Sequence, residues 1–476
     1  MTELAPHLEK LFFTPAWEGQ ERITGITGHI PAWLRGSYYL NGPARFERNG
    51  MRAKHWLDGD GMIRALHFRD DGVEFVARFL QTPKLKAEEQ ADRFLFRGFG
   101  TAFPGDQLRH GLMLEPPVNV SIYPWADKVL AFGEQSQPLE IDPWTLETKG
   151  DFDFQGGINA VTPFAAHAKV FAEPTPRMAN FGVSFSAQPQ LNLYEFDEAG
   201  ALIKRRRHSL KHQFSLHDFG LTKDWAVFFL GPLIMDFGKF VKEGVSVMES
   251  LMWKPELGTT LLFAPRAGNT APAFEVPAGN AYGLHIINCF EKDGRLIVDL
   301  LELDEPVYRE YQVLPDVFST ITPARPVRFV IDAATHALLD RIEMDYTLTP
   351  DFPAVEPTLF GHEYDDFWML GMSQAATPGR KFFDELVHAR WSAGASDFYR
   401  LPKGEYFGGE PAFVSPDGVA PGVSSPEGAV IVQHFAPATG TCEFWLFDAR
   451  DVRKGPIARL PLQHSTPPGF HACYRH

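Results

Sequence analysis

Leu191-Asn192-Leu193-Tyr194-Glu195-Phe196-Asp197-Glu198-Ala199-Gly200 holds the unit from which the rest of the chain can be read. A β-type run ends in Phe196, Asp197 caps its own turn through its side chain, Gly200 supplies positive φ, and a second strand follows. A similar Asp turn recurs at Arg69-Asp70-Asp71-Gly72, Ile141-Asp142-Pro143, Lys292-Asp293-Gly294, Ile331-Asp332 and Phe447-Asp448. A hairpin repeated over the whole length at irregular intervals predicts a propeller with long insertions between its blades. A β-sandwich would not need so many hairpins.

Working outward, short runs rich in Val, Ile, Phe and Tyr occur at Gly36–Leu40, Val73–Phe79, Val118–Tyr123, Lys128–Phe132, Phe181–Phe185, Trp225–Leu230, Arg295–Leu303, Val327–Ile331, Phe367–Gly371 and Ala429–Gln433. Gly, Pro, Asp or Asn bounds each of them. Helix is expected only at Lys84–Phe94, Val245–Trp253 and Val307–Val317. Ala264–Asn280 and Ser415–Glu427 are rich in Pro, Gly and Ser but lie between strands, so they read as long loops. Nothing qualifies as a linker, and residues 1–476 are expected to form one domain.

Composition narrows the partners. The chain has 476 residues and a formal charge of −15, so nucleic acid is not expected. The one basic run, Lys204-Arg205-Arg206-Arg207-His208, reads as a solvated turn. Three cysteines build no disulfide framework, which predicts a reducing compartment and hence the cytoplasm. No signal-peptide core and no 18-residue apolar window is found. Trp225–Leu233 and Val245–Trp253 are apolar enough for peripheral contact with lipid, although ordinary core is the first reading. Phe is in surplus, with 41 copies against 12 Tyr and 10 Trp. That much aromatic carbon fills a large core or lines an apolar cavity.

Of 17 histidines, His7, His208, His212, His336 and His388 sit among charges or on surface turns. Six sit in apolar, strand-like surroundings: His55, His167, His217, His285, His434 and His471. A lone buried His is ordinarily a hydrogen-bonded core residue. Six are harder to dismiss, yet none has the short spacing of a zinc finger or an HExxH helix. Ligands of any metal must therefore come from distant strands that converge, as inner strands of a propeller do. Cys289 and Cys473 follow His285 and His471 at even offsets, which keeps open a mixed His/Cys zinc site. Such a site would leave the other histidines unexplained.

Several segments together resemble the carotenoid cleavage oxygenases. They are Gly36-Ser37-Tyr38-Tyr39-Leu40-Asn41-Gly42-Pro43, His55-Trp56-Leu57-Asp58-Gly59-Asp60-Gly61-Met62, Glu134 with Pro138, Leu139 and Asp142, and Leu216-His217-Asp218-Phe219. His167, His285-Ile286-Ile287-Asn288, Gly409-Glu410-Pro411-Ala412-Phe413-Val414, Gly455-Pro456-Ile457-Ala458 and Gly469-Phe470-His471 complete the set. The resemblance implies an all-β, seven-bladed propeller with a cap of loops and short helices over one axial Fe(2+) per chain. The positions that match its ligands are His167, His217, His285 and His471. His55 and His434 are then structural, paired in the core. Glu134 and Glu410 match two of three carboxylates that orient ligand imidazoles. At the third position the family has Glu-Phe-Pro and this chain has Asp351-Phe352-Pro353, with Glu356 as a rival.

Four neutral imidazoles leave the iron charge uncompensated and coordination positions open for O2. The resemblance thus implies O2-dependent cleavage of a conjugated C=C bond in an apolar polyene, a carotenoid or apocarotenoid, to two carbonyl products. Val120 stands near the open iron position where many members carry Thr, which makes that side drier. Gly133 stands where lignostilbene-cleaving members carry a Lys for a phenolate, which counts against a 4-hydroxystilbene. Rival readings are cleavage of a stilbene or phenylpropanoid, a catalytically silent propeller binding an apolar ligand, and a non-oxidative isomerase. Asp58-Gly59-Asp60-Gly61 does not continue as a calcium loop and reads as a tight turn. Gly371-Met372-Ser373-Gln374-Ala375 lacks the strand-to-helix context of a nucleophile elbow.

Overall fold

The computed structural model describes residues 5–171, 175–184, 188–307 and 313–476. Phe185 and residues 308–312 of the expected Val307–Val317 helix lie outside them. Seven antiparallel sheets of four or five strands form the seven blades of a propeller. In chain order, the innermost strands of the second to seventh blades are Ser121–Trp125, Lys169–Phe171, Gly220–Leu221, Tyr282–Lys292, Asp351–Val355 and Tyr406–Val414. The first blade takes its inner strand, Ala472–Arg475, from the C-terminal end, where it pairs with Gly36–Ala44. The seventh blade in turn takes Thr27–Gly28 from the N-terminal end against Pro456–Pro461. Both ends of the chain thus lock the ring, and the closure entropy of a very long loop is offset by two strand pairings.

The Asp turns behave as their chemistry dictates. The Asp197 carboxylate accepts from the Ala201 N–H at 2.8 Å, Asp142 from Thr145 at 2.9 Å and Asp332 from Thr335 at 2.7 Å. Asp293 and Gly294 both take left-handed φ, 48° and 71°, at the hairpin of the fifth blade.

Part of the Phe surplus packs the seams between blades. Phe181, Phe219 and Phe228 meet edge-on or stacked with centroids 5.2–5.5 Å apart between the third and fourth blades. Truncating one such ring to Ala costs about 3–5 kcal/mol. The Lys204–His208 run is a strand and not a turn. It lies on Leu202–Ser209, the exposed outer edge of the third blade, where charge blunts edge-to-edge pairing. Ala264–Asn280 contains the strand Phe274–Pro277. Of Val245–Trp253 only Val247–Ser250 is helical; Leu251–Trp253 pairs with Leu233–Met235, and Trp225–Leu230 is a blade strand. His388 is buried, on the Glu385–Arg390 strand of the sixth blade.

Short helices, Leu8–Phe13, Pro83–Ala91 and Phe237–Lys242, supplement the blades. Arg48 and Lys84 bind Asp60, and Glu88 bridges to both cations, which ties helix Pro83–Ala91 to the first blade. Asp58 accepts from the Gly100 N–H and the Thr101 hydroxyl. Both carboxylates of Asp58-Gly59-Asp60-Gly61 are therefore committed, which leaves nothing for calcium. Among the described residues no helix is long and apolar enough to cross a membrane.

Candidate metal centre

Each blade delivers one polar side chain to the axis. His167 precedes the inner strand of the third blade, His217 that of the fourth, and His471 that of the first. His285 lies within the inner strand of the fifth, where the ladder register shifts between Gly283 and Ile286 and again before Asn288. Such irregularity re-aims a side chain that a straight strand would turn aside. Glu134 comes from the second blade, Asp351 from the sixth and Glu410 from the seventh. Backbone contacts fix the histidine segments: His471 donates its N–H to the Val120 carbonyl at 3.2 Å and accepts from the Asn41 N–H at 3.0 Å, while Ser121 Oγ donates to the Ala166 carbonyl.

The four imidazoles meet. One nitrogen of each of His167, His217, His285 and His471 lies within 4.8 Å of the others. His167 Nε2 and His217 Nε2 are 3.0 Å apart, and the rings stand steeply to one another, as for His167 and His471 at 4.3 Å and 82°. Behind them, His217 Nδ1 bonds Glu134 at 2.6 Å and His285 Nδ1 bonds Asp351 at 2.5 Å. Glu410 lies 3.5 Å from His471 Nδ1 and accepts from the Ala472 N–H at 2.9 Å. Asp, one methylene shorter than Glu, reaches its imidazole directly. Its strand carries a register shift between Asp351 and Ala354, with Phe352 at a left-handed φ of 55°. Glu356 is engaged elsewhere, by the Ser425 N–H, Ser424 Oγ and Arg450.

Among the described residues no carboxylate is in bonding contact with His167. Asp218 stands 3.9 Å from its Nδ1 and is held by Lys169 at 2.7 Å and by the Ile286 N–H at 2.9 Å. Sequence reasoning assigns Asp218 no part at the centre. Its adjacency to His217, a ligand-type histidine, is the one signal that could have found it.

The electrostatics call for a cation. Burial, and then the neighbouring imidazoles, hold His167 and His471 well below the usual imidazole range, so both are neutral. Burial lowers His285 while Asp351 raises it more, and the net direction is up. Burial above all pushes Glu410 up to about 7. His285 Nε2, facing the centre, is buried without a hydrogen-bonding partner. Four converging imidazole nitrogens, three of them backed by a carboxylate, are the donor set of a divalent transition metal. The residues present fit that group.

His55 and His434 have separate surroundings, which corrects the expected pairing. His55 Nδ1 accepts from the Leu57 N–H at 3.1 Å and its ring packs on Phe99. His434 bonds Glu405 at 2.8 Å and stacks on Trp445 with centroids 3.8 Å apart. Neither cysteine joins the centre: Cys289 is buried in a seam and Cys473 faces the axial channel.

Space flanks the imidazoles on both sides. An inner apolar lobe of about 80 Å3 is lined by Trp56, Val120, Phe352 and Phe470 together with His217, His285 and His471. An outer lobe of about 170 Å3, walled by cap residues such as Phe237, Phe240 and Val247, meets it at Leu57 and His217. Seven phenylalanines line the two lobes: Phe318, Phe352 and Phe470 inside, Phe99, Phe214, Phe237 and Phe240 outside. On the other side an axial channel of about 380 Å3 carries Lys169, Asp218 and Glu410. At Gly133 a Cβ would stand 2.7 Å from Val118 Cα, with Val118 itself at a left-handed φ of 51°. The close backbone leaves no room there for a lysine.

Against known proteins, the family model described as retinal pigment epithelial membrane protein matches residues 12–476. Apocarotenoid-15,15'-oxygenase of Synechocystis sp. is 27% identical over 95% of this chain and 92% of its own. Isoeugenol monooxygenase of Pseudomonas putida is 28% identical over 99% and 98%. Lignostilbene-alpha,beta-dioxygenase isozyme III of Sphingomonas paucimobilis is 25% identical over 95% and 94%. In fold, the cobalt-substituted Synechocystis apocarotenoid oxygenase superposes with a TM-score of 0.90 at 24% identity, over the full length of both chains.

Proposed function

The chain belongs to the family of the retinal pigment epithelial membrane protein, and from that membership we propose that it is a non-haem Fe(II) oxygenase. It splits a conjugated C=C bond of a carotenoid or apocarotenoid with O2, giving two carbonyl products. One iron is held per chain by His167, His217, His285 and His471, and residues 1–476 work as one catalytic unit. The observation that carries this reading is the convergence of four imidazoles, three of them buried and each from a different blade, against an apolar cavity.

When bound, ferrous iron supplies the O2 chemistry that no side chain of this chain offers. Glu134 and Asp351 hold the Nδ1 protons of His217 and His285, which keeps the Nε2 lone pairs aimed at the centre. Trp56, Leu57, Phe352 and Phe470 exclude water from the inner lobe, and Val120 adds no hydroxyl to that wall. The two lobes confine an elongated alkene and set which double bond lies beside the imidazoles. A substrate of this class dissolves in membranes, and Leu112, half-exposed where it lines the outer lobe, offers a place for peripheral contact.

A second reading is cleavage of a phenylpropanoid or stilbene side chain. It is favoured by polar groups on the outer lobe, Gln135, Gln213, Ser215 and Tyr282. Metal analysis of the purified protein, followed by aerobic incubation with β-carotene, β-apocarotenals, isoeugenol and resveratrol, tests both. Iron at roughly one per chain with a polyene split to carbonyls is the expected result. A protein that binds no iron overturns the proposal, and cleavage confined to isoeugenol or resveratrol promotes the second reading.

A further inference from the structure

Two hydrogen-bonding groups of the outer lobe have no partner among the described residues. Tyr282 opens the inner strand of the fifth blade, three residues before His285, and is 2% exposed. Its hydroxyl takes part in no hydrogen bond among the described residues; only burial and the charges of Asp351 and Glu134 act on it. Gln135 follows Glu134, at a left-handed φ of 55°, and its Oε1 is buried without a partner. Both residues line the outer lobe together with His217. The remainder of that wall is largely Leu, Met, Val and Phe.

The Tyr282 hydroxyl is open to the lobe and is available to a ligand that fills it. Gln135 Oε1, a buried polar atom left without its bond, is satisfied only when a partner arrives. A tyrosine hydroxyl can donate and an amide oxygen can accept, so together they suit a group that does both. Neither carries a charge, and Gly133 provides none, so the matching group is a neutral hydroxyl and not a phenolate.

We propose that Tyr282, assisted by Gln135, is a specificity-determining anchor for a neutral hydroxyl on the alkene substrate. This rests on the alkene-cleavage reading and deepens it. The substrate is not a bare hydrocarbon but a conjugated alkene bearing an alcohol or un-ionised phenol on the part that lies in the outer lobe. The anchor sets the distance from that oxygen to the double bond beside the imidazoles, and hence which bond is split. A phenylpropanoid and a hydroxylated apocarotenoid both carry such a group.

Saturated or methylated probes separate these sources without turnover. Binding of 4-propylphenol against 4-propylanisole, and of retinol against its methyl ether, is measured calorimetrically on the iron-loaded protein without oxygen. The free hydroxyl is expected to bind about tenfold more tightly than its ether in one of the two pairs, the worth of one well-placed hydrogen bond. The pair that shows it identifies the class. Tyr282→Phe should abolish that preference while iron content stays unchanged, and Gln135→Leu should reduce it. No preference in either pair, or a preference that survives in Tyr282→Phe, overturns the anchor. Should Tyr282→Phe fail to fold, a preference undiminished in Gln135→Leu overturns it instead. The preference reports on binding alone, so a wild type that shows it yet cleaves no alkene refutes the oxygenase reading and not the anchor.

Discussion

Two kinds of buried histidine in this molecule look alike at close range. On the axis, His285 bonds Asp351 at 2.5 Å and its other ring nitrogen has no hydrogen bond. In the blades, His388 bonds Asp366 at 2.6 Å and His434 bonds Glu405 at 2.8 Å, and each again leaves one ring nitrogen unbonded. The difference lies in what faces the second nitrogen. Glu443 stands 3.5 Å from His434 Nδ1, and the indoles of Trp445 and Trp368 cover the ring faces of His434 and His388. His285 instead faces three further imidazoles within 4.8 Å. A histidine–carboxylate pair is common structural chemistry; convergence makes it a metal centre.

The sharpest way to break that distinction is to remove one ring of each kind. His285→Ala should lose essentially all bound iron, measured by elemental analysis of the purified protein. His434→Ala should keep iron at the wild-type ratio and lower stability by roughly 1–3 kcal/mol, because a buried ring with its stack on Trp445 and its bond to Glu405 is lost. The reverse outcome would mean that the axial cluster is the structural one.

A smaller effect follows from the carboxylates. Asp351→Asn keeps the shape but weakens the orientation of His285, and iron affinity should fall about 10–100-fold. Asp366→Asn, the same change behind His388, should leave iron affinity untouched and lower only the melting temperature. Equal effects at both positions would remove the contrast between axis and blade.

The same contrast separates what is legible in the sequence from what is not. The Asp turns at 142, 197 and 332 are legible because their geometry is local: side chain and receiving N–H lie within a few residues. The six apolar-context histidines are legible as a set, but only resemblance to a family selects the four that meet. Their meeting depends on closure of the ring, a contact between residues 36–44 and 472–475 that no local pattern encodes. His388 reads as a surface residue because neighbouring charges mask its strand, and Lys204–His208 reads as a turn because an exposed edge strand has no apolar face to signal it. Tyr282 gives no signal at all. Its distinction is an absent hydrogen bond, which exists only once the surrounding cavity does.

The gentlest test asks whether nearness without convergence matters. Val120 lines the inner lobe beside His217, His285 and His471 and is 2% exposed. Its N–H bonds Phe132 and its carbonyl accepts from His471, so the backbone is fixed whatever the side chain. Val120→Thr keeps the volume and adds one hydroxyl to a wall that is otherwise Trp56, Leu57 and Phe470 on that side. Folding should cost about 1 kcal/mol, because the new hydroxyl loses water and can recover it only through a local carbonyl. Iron content should not change, because a neutral aliphatic hydroxyl is a poor competitor for a centre already offered four imidazoles. The turnover rate should move by less than a factor of about five, a shift below about 1 kcal/mol in barrier. A large change in iron stoichiometry would show that this wall position takes part in metal binding, and that four converging rings do not by themselves define the site.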